Sequence, residues 1–224
     1  MAESEAEADG GEGPPAPLTE RGARTRERLI AAAREVFEKR GFPGTRVAHI
    51  AQHARVSYGS FYTYFPSKEA VFLEVADRLF EVMTQHPLVP DAGPEPAARI
   101  RRANRAYYES YLRNAKMMAI IEQVATFNEE FQEMRRKHRA ASVGRSAGAI
   151  ARWQRAGIVP GDLDPEMTAR ALAAMVDHSL YLWLVQGDPP GTERLLDTLD
   201  ALSIRALGLR PRPLTGGHDR DRKR

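Results

Sequence analysis

Residues 45–68, TRVAHIAQHARVSYGSFYTYFPSK, divide into two short segments around the break Ala54-Arg55-Val56. Before the break, Val47, Ile50 and Ala51 stand at i, i+3 and i+4, one face of a helix. After it, Tyr58, Phe61, Tyr62 and Tyr64 crowd the second segment, with Phe65 directly following. Val56 and Phe61 supply the apolar residues on that side of the turn. This spacing predicts a helix-turn-helix, whose second helix lies in the major groove of DNA. The rest of the chain is then expected to position, pair or switch this segment.

Charge distribution agrees. The formal net charge is only +3, but residues 21–68 hold ten bases against three acids, a local net of +7. Residues 1–20 hold six acids and no base. A basic block of this size points to a polyanion partner, with a merely solvated basic surface as the alternative. The first twenty residues, with Gly10-Gly11 and Pro14-Pro15-Ala16-Pro17, cannot bury a core and are expected to be disordered. The Pro-, Gly- and Arg-rich stretch 210–224 is expected to be disordered too. The chain has no cysteine, no basic, apolar leader and no membrane-length apolar run, so a cytoplasmic protein is expected.

A helix is expected from about Arg24 to Arg40, with Leu29, Ala32, Ala33, Val36 and Phe37 on one face. Gly41 should end it, with Phe42 folding back. Thr45, Ser57 and Ser67 are expected as N-caps of the next three helices. Residues at the start of a recognition helix reach base edges, so Ser57, Tyr58 and Gly59 are candidates for readout. Arg46, in the first turn of the preceding helix, is a candidate phosphate contact. Phe61 and Phe65 carry no polar atom and read as core; His49 and His53 read as surface residues.

The order Thr45, Ile50-Ala51, Val56-Ser57, Gly59, Phe61-Tyr62, Phe65 and Lys68-Glu69 resembles the signature of tetracycline-repressor (TetR) type regulators, over roughly residues 25–72. Family members usually have Ala-Gly-Val-Ser at the turn; here Arg55 replaces the glycine. That position often lies near the left-handed region, where a side chain costs about 1–2 kcal/mol. Tyr64 stands where the family often has histidine. The resemblance implies phosphate contacts from Thr45, Tyr62, Tyr64 and Lys68. For Tyr62 and Tyr64 the competing reading is a half-buried core aromatic. The resemblance also implies a ligand-responsive regulator, in most members a repressor, whose fourth helix carries the ligand signal to the DNA-binding head.

Beyond residue 69 only helical periodicity is found, so the expected fold is all-α. A three-helix head over 21–68 joins a larger helical effector-binding and dimerisation domain over 69–209. The fourth helix should run from Glu69 to Met83, before a Pro-rich loop at 87–96. Five more helices are expected: Glu95–Arg113, Ala115–Thr126, Glu129–Ala156, Pro165–Gln186 and Thr192–Leu207. Gly144 and Gly148 should either bend the long one or admit a close neighbour.

Thirteen of the seventeen residues 169–185 are apolar, too many for a helix with a solvent face. The final helix carries the stripe Leu195, Leu199, Leu202 and Ala206. A homodimer through these two helices would absorb the excess, as it does in the family; cover by the same subunit is the alternative. Two heads one DNA turn apart would read a near-palindromic double-stranded operator.

Aromatic and methionine residues of the middle helices suit a lining for a small, largely apolar effector. The candidates are Tyr107, Tyr111, Met118, Phe127, Phe131, Met134, His138, Trp153, Met175 and His178, each of which also reads as core. Asp177 and His178, inside an apolar helix, need partners. No cofactor is implied. A helical small-molecule-binding enzyme without sequence-specific DNA binding is the alternative, but no nucleotide loop, nucleophile elbow or paired-histidine zinc motif supports it.

Overall fold

The computed structural model describes residues 19–84, 95–187 and 191–209. The expectations for both tails, apart from Thr19 and Glu20, and for most of the loop 87–96 therefore fall outside the described residues. Within them the chain forms α1 (Glu20–Arg40), α2 (Val47–His53), α3 (Tyr58–Tyr62), α4 (Lys68–Thr84), α5 (Pro96–Arg113), α6 (Ala115–Val124), α7 (Glu129–Arg155), α8 (Pro165–Tyr181) and α9 (Thr192–Ala206), and no strand. The end of α8 widens into a π-helical turn over Leu182–Gln186. No described helix is long and apolar enough to cross a membrane.

Helix ends follow local chemistry. α1 begins at Glu20 rather than Arg24, because Thr19 caps it by accepting the Gly22 N–H at 3.2 Å. The ordered chain therefore reaches into the segment expected to be disordered. Gly41 (φ 69°) stops α1, and the Phe42 ring stacks on Phe37 with centroids 5.7 Å apart. Ser57 and Ser67 cap α3 and α4 as expected, accepting from Ser60 N–H at 3.1 Å and Ala70 N–H at 3.0 Å. Thr45 does not cap α2. Arg46 occupies that position, and the Thr45 hydroxyl, buried, donates to the Gly41 carbonyl at 2.7 Å.

Two hydrophobic clusters organise the packing. The larger one runs unbroken from α1 to α4 into the body through α5, α6 and α7 to Leu195, Leu196 and Leu199 of α9. Phe37, Phe42 and Phe72 meet edge-on or stacked at its centre, and Phe131 of α7 joins them at 5.2 Å from Phe72. The smaller cluster, around Ile100, Val143, Ile150, Trp153 and Leu207, lies toward the other end of α5 and α7. α7 continues through Gly144 and Gly148, and a Cβ at Gly144 would meet nothing within 4 Å. Close approach is not its role within the chain.

α9 corrects the expected stripe. Leu195, Leu196, Leu199, Ser203 and Ile204 face inward, whereas Leu202 and Ala206 are exposed. α8 buries only Ala169, Val176 and Leu180 within the chain.

Candidate nucleic-acid interface and effector cavity

The head is built on α1. Arg28 reaches across to donate to the Ala54 carbonyl at 2.6 Å, which ties the turn between α2 and α3 to the first helix. Arg55 takes φ 54°, the left-handed conformation expected at that place. Ile50, Ala51, Phe61 and Phe65 are buried, so the core roles assigned to the two phenylalanines hold. His53 is on the surface, 2.7 Å from Glu35. His49 is half-buried, and its Nδ1 accepts the Arg46 N–H at 3.2 Å.

α3 presents its start to solvent. Ser57, Tyr58 and Gly59 are all exposed, and a Cβ at Gly59 would meet nothing. Tyr58 and Tyr62, 57% and 46% exposed, pack edge to face and share a hydroxyl–hydroxyl hydrogen bond of 2.9 Å. That bond pushes the Tyr62 phenol above its usual range. Two large exposed aromatics, braced against each other and, through Tyr62, edge-on against Phe61 at 5.4 Å, form a ready contact surface for a groove. Arg46 is exposed, whereas Tyr64 is half-buried against the main cluster.

Lys68 is less free than expected. Its Nζ donates to the Phe42 carbonyl at 3.0 Å and sits 4.2 Å from the centroid of the Phe42 ring. Thr45 leaves the set of accessible donors altogether: its hydroxyl is committed to Gly41 and its N–H lies 3.3 Å from the Phe42 carbonyl.

The body holds a cavity of about 680 Å³ between α5, α7 and α8, with Phe80 and Met83 of α4, Met118 and Glu122 of α6, Ser203 of α9 and Leu207 just after it completing the wall. Its polar groups come in pairs. Tyr107 donates to Asp177 at 2.7 Å, and burial, with the neighbouring carboxylate, pushes that phenol well up. Arg135 pairs with Glu122. Asn104 donates to Asp200 at 2.7 Å. Ser203 is buried and its hydroxyl has no partner.

Residues 29–75 match the family described as bacterial regulatory proteins, tetR family. The HTH-type transcriptional regulator TtgR of Pseudomonas putida is 28% identical over 193 residues, covering 80% of this chain and 92% of that one. The HTH-type transcriptional regulator EthR of Mycobacterium tuberculosis is 26% identical over 178 residues, covering 76% and 81%. Residues 29–75 are a TetR-family segment. The chain's likeness to solved structures concerns the fold: GusR of Salmonella enterica superposes with a TM-score of 0.71 at 24% identity, covering 85% of this chain and 98% of that one. TetR-family proteins are transcriptional regulators rather than enzymes, so the enzyme alternative falls away.

Five of the ten expected lining residues face the cavity: Tyr107, Met118, His138, Trp153 and His178. The other five do not. Tyr111 is fully buried one turn beyond Tyr107, with an unpartnered hydroxyl. Phe131 belongs to the aromatic joint with Phe72. Met134 borders a separate groove between α4 and α7, and Met175 packs against the main cluster. Phe127 is 64% exposed, because α6 ends at Val124 and the turn carries the ring out toward Phe42, 6.2 Å away. Asp177 finds its partner in Tyr107 rather than in the adjacent His178. Phe80, Met83, Asn104 and Arg135 were not anticipated as lining. Asn104, a polar residue on the inward face of α5, was the one readable sign.

Proposed function

We propose that the chain represses transcription as a homodimer on a near-palindromic operator and is released by a small effector held in the 680 Å³ cavity. The observation that carries the reading is the exposed Ser57-Tyr58-Gly59 start of α3 on a head of net charge +7. In this reading Ser57, Tyr58 and Gly59 read bases, while Arg46, Tyr62 and Lys68 hold phosphates. Tyr64 contributes from its half-buried position. The boundary between head and body is better placed within α4 than at residue 68, since Phe72 packs on Phe37 of α1 while Phe80 and Met83 line the cavity.

The effector is apolar over most of its surface and carries a hydrogen-bonding group for the Tyr107–Asp177 pair or for Ser203. Release follows if it binds the DNA-incompetent arrangement more tightly than the competent one. A second copy covers the apolar faces of α8 and α9, and the cytoplasm is the setting for such a regulator.

The test is fluorescence anisotropy on DNA flanking the protein's own gene, with a scrambled duplex beside it. Tyr58→Ala should change preference among operator variants by about 1–3 kcal/mol. Equal losses on operator and scrambled DNA would remove Tyr58 from base readout, and failure to prefer its own flanking DNA would count against operator recognition there.

A further inference from the structure

α4 is fastened at both ends to different parts of the protein. Over its first three turns it is bound to the head. Glu74 accepts from Arg26 at 2.7 Å and from Arg78 at 2.8 Å, and Arg78 reaches Glu27 of α1. Lys68 holds the Phe42 carbonyl, and Phe72 packs on Phe37 at 5.0 Å. Its last turns belong to the cavity, through Phe80 and Met83.

His138 of α7 meets α4 between these two regions. Its ring stacks on Phe80 with centroids 5.4 Å apart, and its Nε2 is 2.6 Å from Asp77 Oδ1. A carboxylate only accepts, so Nε2–H is the donor. The same imidazole lines the cavity, but Asp77 does not; it faces the separate groove between α4 and α7. Asp77 thus meets no occupant directly, and the side chain bonded to it, His138, does.

We propose that His138 is the positioning residue through which the cavity biases α4. An occupant that packs against or bonds to the imidazole turns it away from Asp77 and off Phe80. α4 then loses its side-chain anchor to α7 at this level and moves with the head to which its first turns are bound. The inference rests on reading the cavity as the effector site. Linkage requires the converse as well: operator binding, by fixing α4, changes affinity for the occupant by the same factor.

The experiment uses the full chain and N-phenyl-1-naphthylamine, an uncharged apolar fluorophore, as the occupant. Probe binding is read from its fluorescence, and affinity for the protein's own flanking DNA from anisotropy with and without saturating probe. Asp77→Ala alters a half-exposed residue outside the cavity wall, so it should bind probe within about twofold of wild type. The factor by which probe weakens DNA binding should shrink by about fivefold, the worth of one part-exposed hydrogen bond. His138→Gln, which keeps an N–H at similar reach, should retain most of that factor.

Asp77→Ala with normal probe binding and an undiminished factor would overturn the proposal and leave the effector site standing. Wild type that binds the probe without any change in DNA affinity would overturn it as well. Wild type that fails to bind the probe at all would overturn the effector-site reading and this inference with it.

Discussion

Arg55 is the only non-glycine residue with positive φ among the described residues, in a turn whose family usually has glycine. A side chain in that conformation costs about 1 kcal/mol. The neighbouring Arg28 guanidinium, bonded to the Ala54 carbonyl and 3.4 Å from that of Arg55, offsets part of the strain from outside the turn. Arg55→Gly should therefore raise the urea midpoint slightly, with a gain of about 0.5 kcal/mol once the extra freedom of unfolded glycine is subtracted. A loss instead would mean that the exposed guanidinium makes a favourable interaction larger than the strain. This residue was legible in advance, because turn geometry is local. Thr45 was not: its hydroxyl could cap α2 or turn back to α1, and only the path of residues 41–45 selects the Gly41 carbonyl.

At the scale of elements, most helix ends were readable because caps, glycines and prolines act within a few residues. Which face of each helix meets the cavity was not readable, since Tyr107 and Tyr111 are one turn apart and chemically the same, yet only Tyr107 lines it. The joint between α5 and α9 makes the point with a buried polar pair, Asn104 and Asp200. Burial pushes the Asp200 carboxyl above its usual 3.8, although the Asn104 bond and nearby Arg101 and Arg105 pull the other way. Between the unfolded value and this raised folded value the native state holds the extra proton, so its stability falls as pH rises through that window. Asp200→Asn keeps an acceptor for Asn104 and removes the buried charge. It should stabilise the protein at pH 7 and give no such gain below about pH 3, where both states of the wild-type carboxyl are protonated. Thermal unfolding across pH 3–7 reads this directly, and a neutral-pH loss would show that the arginines outweigh the desolvation.

For the whole molecule the open matter is what covers α8. Its exposed residues Met167, Ala171, Ala174, His178 and Leu182 recur at helical spacing, with Met167 at 64% and Leu182 at 40% exposure, and Leu202 of α9 adds to the apolar surface. Most apolar residues of 169–185 pack against the chain's own clusters, and Ala171, Ala174 and Leu182 are the ones it leaves exposed. A second copy related by a two-fold axis would cover them, since the same strip then meets itself. The cavity mouth lies beside this strip, because Ala174 and His178 are both exposed and cavity-lining. Leu182→Glu places a charge in the strip without entering the cavity wall or the head. It should convert a dimer to a monomer in light scattering at micromolar concentration while leaving the helical circular dichroism intact. Operator affinity should then fall by about a hundredfold or more, as two linked heads become two independent ones, while affinity for a single half-site stays near wild type. If the variant keeps the dimer mass and full operator affinity, the interface lies elsewhere. If it becomes a monomer yet still holds the full operator as tightly, one head suffices and the near-palindromic site is wrong.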